Sequence, residues 1–214
     1  MHKESGLKIL KTQNKKFVYL ISPNKINNNS FFSYLNLVLK SNKVSFFQLR
    51  LKRESTKKII NYSKKISKIC KKNKVKFIIN DDPHLAVKVK ADGCHLGQKD
   101  MRIDLAKKIL KNKHIGITCH NSLKLAKKAS LLGASYIAVG SFYKTKTKKV
   151  IHKANIKTLK KIKMSVNLPV VAIGGINKKN YKNLLLNKAD FLAISSYIWN
   201  NKKLKPHHAI ESLK

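Results

Sequence analysis

The residues best suited to chemistry in this chain are two of its nine acidic side chains. Asp81 and Asp100 each follow an apolar, strand-like run, "KFIIND" (76–81) and "GCHLGQ" (93–98). Taken singly, either aspartate could be an ordinary turn or helix-cap residue. Brought to neighbouring positions, the two carboxylates suit a hard cation such as Mg2+, which accepts one or two carboxylates and leaves its other positions to water and phosphate. Arg50 ends the apolar run "VSFFQLR" (44–50), and Lys52 lies two residues on. A planar guanidinium fork and an ammonium beside a cation suit a diphosphate. Further along, Gly174-Gly175 closes "LPVVAIGG" (168–175) and Ser195-Ser196 lies in "DFLAISSYI" (190–198). The glycine pair is either a tight turn or a place where backbone closes on a ligand. Two anionic groups are thus implied: a metal-bound diphosphate, and a monophosphate held by small residues.

Positioning these groups requires a repeated scaffold. Eight short apolar runs recur at even spacing: 17–22, 44–50, 76–81, 93–98, 114–120, 136–142, 168–175 and 190–198. They are apolar nearly throughout rather than alternating, as strands covered on both faces are. Between them lie amphipathic, lysine-rich stretches of helical period. In "STKKIINYSKKISKICKKN" (55–73) Ile59, Ile60, Ile66, Ile69 and Cys70 fall on one side; in "NSLKLAKKASLLG" (121–133) Leu123, Ala126, Ala129 and Leu132 form a stripe, with Asn121 expected as N-cap and Gly133 as C-cap. Eight strand–helix repeats in this length predict an α/β fold, a single-domain (β/α)8 TIM barrel, with an open doubly wound sheet as the alternative. "AIGGI" is not a dinucleotide fingerprint. The domain is expected over 17–214, after a basic N-terminal extension over 1–16, with the tail from Asn200 onward ending in a short helix.

In a barrel the active site is built where the strands end. Gln48, Arg50, Lys52, Asn80, Asp81, Gln98, Asp100, Thr118 and His120 all fall there, as do Gly175, Ser195 and Ser196. Cys119, by alternation, points the opposite way from Thr118 and His120, into packing. The run "SFYKTKTKK" (141–149) follows the sixth strand and has two readings: one more basic run, or a loop that holds phosphate.

Composition by itself favours the first of these. The net charge is +39 and the pI about 10.3, values that suggest a polyanion partner. Yet arginine, which nucleic-acid surfaces favour for bidentate contacts, occurs only at Arg50, Arg53 and Arg102, and the lysines are spread along the whole chain. They are read as solvated helix faces in a lysine-biased sequence, with no specific nucleic-acid partner. The three cysteines, Cys70, Cys94 and Cys119, show no CxxC spacing, which fits a reduced, cytoplasmic protein. No apolar run reaches the ~18 residues of a membrane helix. The oligomeric state is open, a homo-oligomer included.

Together, "QLRLK" (48–52), "IINDD" (78–82), "ADGCHLGQKD" (91–100), "IGITCH" (115–120), "GSFYKTKTK" (140–148), "AIGGI" (172–176) and "AD…AISS" (189–196) resemble the thiamine-phosphate synthase / thiazole tautomerase superfamily, in order and spacing, from Tyr19 to about Trp199. The synthase branch implies a Mg2+-dependent transferase of thiamine biosynthesis, joining hydroxymethylpyrimidine diphosphate to a thiazole phosphate, carboxylated or not, with loss of diphosphate. Carried over by position, the run Gln48, Leu49, Arg50, Leu51 and Lys52, with Asn80, Thr118 and Lys148, would hold the pyrimidine diphosphate. Arg50, Lys52 and Lys148 would stabilise its departure. Asp81 and Asp100 would be the Mg2+ ligands. Thr145, Lys146, Thr147, Gly175, Ser195 and Ser196 would hold the thiazole phosphate.

The chain departs from the family pattern at Leu51, where Glu is common, at Asp82, where a basic residue is common, and at Ser141 and Lys144, where prolines are usual; Thr118 replaces a common serine and keeps the hydroxyl. Two rivals remain. A thiazole tautomerase needs no diphosphate, and His120 stands where that branch places a catalytic histidine, but such an enzyme has no use for Asp81, Asp100 and the 145–148 loop. A non-enzymatic, polyanion-binding protein would use only the lysine surface.

Overall fold

The computed structural model describes residues 16–26, 30–145 and 151–214. Strands and helices alternate through the chain: β1 (Val18–Ile21), α1 (Ser30–Lys40), β2 (Val44–Leu49), α2 (Thr56–Lys72), β3 (Lys76–Asn80), α3 (Pro83–Lys88), β4 (Gly93–Leu96), α4 (Ile103–Leu110), β5 (His114–His120), α5 (Leu123–Leu131), β6 (Tyr136–Gly140), α6 (Ile156–Ser165), β7 (Val170–Ile173), α7 (Tyr181–Leu186), β8 (Phe191–Ile194), α8 (Ser196–Trp199) and α9 (Pro206–Glu211). Every strand pairs in parallel with the next, and β8 closes onto β1. The fold is therefore a (β/α)8 barrel. All eight apolar runs became strands, and the tail carries the expected short helix, α9.

Strand alternation divides the core in two. Phe47, Leu49, Phe77, Ile79, Cys94, Leu96 and Cys119 face outward and pack under the helices with Leu35, Ile66, Ala126 and Leu159. The lumen holds a second cluster, with Tyr19 and Tyr136 at its centre and Phe46, Phe191 and Val171 against them. Its aromatic rings meet at centroid distances of 5.4 Å (Tyr19–Phe46, stacked), 5.6 Å (Tyr19–Tyr136, tilted) and 5.2 Å (Phe46–Phe191, edge to face). These rings form a solid floor, so the polar residues above it sit on a rigid base.

The helix ends follow local hydrogen-bond chemistry. Ser55 caps α2 and Asn155 caps α6, each accepting from the backbone N–H three residues on. For α5 the cap is Ser122, which accepts from Leu125 N, and not the expected Asn121. Ser122 immediately precedes the first helical residue, so its oxygen reaches the free N–H, whereas the Asn121 amide donates to the Lys153 carbonyl. At the other end Leu132 is the cap and Gly133 follows it at φ 80°, the left-handed position that glycine fills without strain. The stripe on α5 packs inward as its spacing implies, with Ala126 and Ala129 buried. Of the basic extension expected over 1–16, only Lys16 lies within the described residues; its ammonium reaches the carbonyls of Asn73 and Lys74 at 3.4 and 3.2 Å.

Candidate active site

Asp81 leaves β3 in the left-handed region, at φ 67°. Its backbone N–H donates to the His95 carbonyl on β4 at 2.8 Å, which fixes the turn at the barrel mouth. Its carboxylate forms an ion pair with Lys52 at 2.9 Å. Asp100 reaches the same place from the loop after β4, where its Oδ2 accepts from Gly97 N at 2.6 Å. The two carboxyls share a hydrogen bond. Burial alone would raise the Asp81 carboxyl, but the Lys52 ammonium, the Asp100 hydrogen bond and the Arg50 charge outweigh it and hold Asp81 below the usual carboxylate range. Burial, together with the Asp81 charge beside it, pushes Asp100 up despite the Gly97 N–H. The two carboxyls thus differ: the Lys52 and Arg50 charges favour the ionised form of Asp81, whereas burial and the neighbouring Asp81 charge disfavour it at Asp100.

Around this pair, Gln48 is buried in the lumen above Phe46, on the inward side of β2, and Arg50 follows on that side. The Arg50 backbone N–H is held by Ser22 Oγ at 2.9 Å. Leu49 and Leu51 alternate outward into the helix-facing core, so the expected diphosphate contacts do not come from their side chains. That burial also accounts for Leu51 itself: an apolar side chain occupies an apolar position. Asp82 has an equally local role. Its Oδ1 accepts from Leu85 N at 2.9 Å and caps α3, with Pro83 in the first turn. It contributes no side chain to the carboxylate pair.

Thr118 projects inward from β5, and Cys119 is buried outward, as alternation requires. The Thr118 hydroxyl meets His95 Nε2 at 2.9 Å, and the Gln98 amide donates to the Thr118 carbonyl. His120, displaced by an irregularity at the end of β5 and at φ 53°, packs against the His152 ring, tilted to it at 4.4 Å between centroids.

The loop after β6 is described at both ends. Phe142 N and Tyr143 N donate to the Ile173 and Gly174 carbonyls at 3.0 and 3.1 Å, and Ser141 exchanges backbone hydrogen bonds with His152 and Ala154. Gly174 and Gly175 lie at φ 110° and 61°, and a Cβ on either would overlap this loop. The glycine pair thus brings the loop against the end of β7. Thr145 is the last described residue before the gap; Lys146, Thr147 and Lys148 lie outside the described residues. On β8, the Ser195 hydroxyl donates to the Ser22 carbonyl at 3.0 Å, tying β8 to β1, and Ser196 is exposed.

His95, Tyr136 and Tyr19 carry polar atoms beneath this mouth and escape a reading by motif. His95 Nδ1 lies 3.3 Å from the Tyr136 hydroxyl, which lies 2.7 Å from that of Tyr19. The only trace of them in the sequence is a histidine at an inward strand position and two tyrosines that look like ordinary strand formers. Burial, with Arg50 adding to it and Asp81 opposing it, lowers His95 to about 4. An unfolded histidine at its usual 6.5 therefore takes up a proton between pH 6.5 and 4 while folded His95 does not, and stability falls as pH falls through that window. From pH 7 to 4 the protein should lose about 3 kcal/mol more than a His95→Gln variant, read by denaturant unfolding at each pH. Parallel curves for the two proteins would refute a neutral, buried His95.

The mouth thus joins a paired carboxylate, an arginine and a lysine on one side to a glycine-built loop platform on the other. Residues 18–198 match the family model described as thiamine monophosphate synthase. A thiamine-phosphate synthase of Pelagibacter ubique is 65% identical over 201 residues, covering 94% of this chain and 97% of that relative. One from Fusobacterium nucleatum is 44% identical over 165 residues, covering 76% and 79%. Among solved structures, thiamine phosphate pyrophosphorylase from Pyrococcus furiosus superposes with a TM-score of 0.83 at 30% identity, over 94% of both chains. No described helix is long and apolar enough to cross a membrane. On these grounds the chain belongs to the thiamine monophosphate synthase family and is a transferase of thiamine biosynthesis.

Proposed function

We propose that the barrel mouth joins hydroxymethylpyrimidine diphosphate to a thiazole phosphate by a dissociative substitution assisted by Mg2+, in the cytoplasm. The observation that carries this reading is the Lys52–Asp81–Asp100 cluster at the ends of adjacent strands, with Arg50 beside it. The donor set fits Mg2+: it is all oxygen, and the two carboxyls reach the same place at the barrel mouth. Among the described residues no group of three or more metal-ligating side chains converges. Two carboxylates with further positions for phosphate oxygens and water is the arrangement Mg2+ usually takes. When bound, the cation would neutralise charge on the departing diphosphate.

The remaining steps belong to the chain. Arg50, Lys52 and Lys148 orient the diphosphate and stabilise it as the methylene C–O bond breaks and the electron pair leaves with it. Gln48, Asn80 and Thr118 hold the pyrimidine end. The resulting pyrimidinylmethyl cation is taken by the thiazole nitrogen lone pair, forming the C–N bond. Thr145, Lys146, Thr147, Gly175, Ser195 and Ser196 hold the thiazole phosphate, so the nucleophile is waiting when the cation forms. The loop after β6 limits water, the competing nucleophile. No side chain is required as a strong base.

Chelation tests the metal. Stripping divalent ions should abolish thiamine phosphate formation, and adding Mg2+ back should restore it. Unchanged turnover in excess EDTA would remove the metal from this account. Isomerisation of the thiazole without coupling would favour the tautomerase reading instead.

A further inference from the structure

Four polar groups run in a line from the closed lumen to the mouth. The Tyr19 hydroxyl meets that of Tyr136 at 2.7 Å, Tyr136 meets His95 Nδ1 at 3.3 Å, and His95 Nε2 meets the Thr118 hydroxyl at 2.9 Å. They come from β1, β6, β4 and β5. Tyr19 is 2% exposed and packed by the rings of Phe46, Tyr136 and His95. Burial keeps both phenols protonated, well above their usual range. Each hydroxyl therefore has one proton to give, and the neutral imidazole has one.

That count sets a direction. Suppose protons pointed downward from Thr118, through His95 and Tyr136, to the Tyr19 oxygen. The Tyr19 O–H, whose hydrogen-bond partner among the described residues is Tyr136, would then be left without an acceptor in an aromatic shell. An orphaned buried donor costs about 1–3 kcal/mol. Pointed upward, every proton is used: Tyr19 donates to Tyr136, Tyr136 to His95 Nδ1, and His95 Nε2–H to Thr118 Oγ1. Thr118 is left with its own proton free to donate into the mouth. The room for this arrangement is reserved by Gly116 on β5, where a Cβ would overlap the Tyr136 ring and hydroxyl.

We propose that Tyr19, Tyr136 and His95 are positioning residues, forming a directed hydrogen-bond relay that presents the Thr118 hydroxyl as a donor to the pyrimidine diphosphate. The inference rests on Thr118 facing that substrate. A donor at this point matches a ligand whose diphosphate oxygens and ring nitrogens only accept. A threonine free to rotate would spend part of its time offering a lone pair to them instead.

Two measurements test the relay. In 15N-histidine-labelled protein, the His95 signals, assigned by their loss in His95→Gln, should show a protonated Nε2 and a bare Nδ1; a protonated Nδ1 overturns the direction. In kinetics, Tyr136→Phe should lower kcat/KM for the pyrimidine diphosphate about tenfold with KM for the thiazole phosphate unchanged. The same change made in Thr118→Val should cost less than about twofold, since the group it orients is gone. If Tyr136→Phe does not fold, Tyr19→Phe, at the far end of the line, takes its place in the cycle. Thr118→Val with unchanged constants would overturn the placement of Thr118 at the substrate, and the relay's function with it. An impaired Thr118→Val combined with fully additive losses would overturn the relay alone.

Discussion

Replacing Asp100 by asparagine is expected to lower thiamine phosphate formation by about 10²–10³-fold without unfolding the protein. Asparagine keeps the size and shape of the Asp100 side chain and removes its charge. Its carbonyl can still accept from Gly97 N, and its amide can still donate to Asp81. On the proposed reading, what it lacks is the second carboxylate for the cation. The loss should fall on kcat, because the charge on the leaving diphosphate grows only as the C–O bond breaks. Asp81→Asn differs in kind, since it also dissolves the ion pair with Lys52. Initial rates across a Mg2+ titration, beside thermal unfolding of the same samples, separate the effects. Turnover of Asp100→Asn within threefold of wild type at equal Mg2+ would show that the second carboxylate is dispensable.

The second large effect is on stability. Gly116 has no positive φ, so alanine is acceptable to its backbone. The obstacle is space: the new methyl would lie within the Tyr136 ring. That ring cannot yield easily, because Tyr19, Phe46 and His95 hold it at centroid distances of 5.6, 5.7 and 5.7 Å. Overpacking usually costs about 1–3 kcal/mol, and breaking the Tyr136 hydrogen bonds adds about 1 kcal/mol each. Gly116→Ala should therefore cost about 3–5 kcal/mol, which for a chain of this size lowers the melting temperature by about 6–20 °C. Adding Tyr136→Leu to it should recover part of that loss by removing the obstructing ring. A single variant melting within 2 °C of wild type would mean that the lumen is looser than its packing implies.

Much of this molecule is legible along the chain. Eight recurring apolar runs, too continuous to be half-exposed strands, point to a parallel sheet, while its closure rather than an open doubly wound arrangement is settled by β8 pairing with β1. Alternation along β5 already separates Thr118 from Cys119, because successive side chains must leave opposite faces. The family motifs then name the mouth residues. Alternation applied to "QLRLK" would also have removed Leu49 and Leu51 as side-chain contacts, since they fall out of phase with Gln48 and Arg50.

Other features exist only once the barrel closes. Whether Asp82 faces the site or caps a helix depends on which N–H its oxygen meets, and Leu85 N provides it. The pairing of Asp81 with Asp100 requires two loops, nineteen positions apart in sequence, to meet beside Lys52. The line from Tyr19 to Thr118 draws one residue from each of four strands, and no local pattern distinguishes its tyrosines from those that merely pack. Local spacing determines which face of a strand a residue occupies. Which partner stands across the lumen, and so which way a proton points, is decided by strands that become neighbours only when the sheet closes.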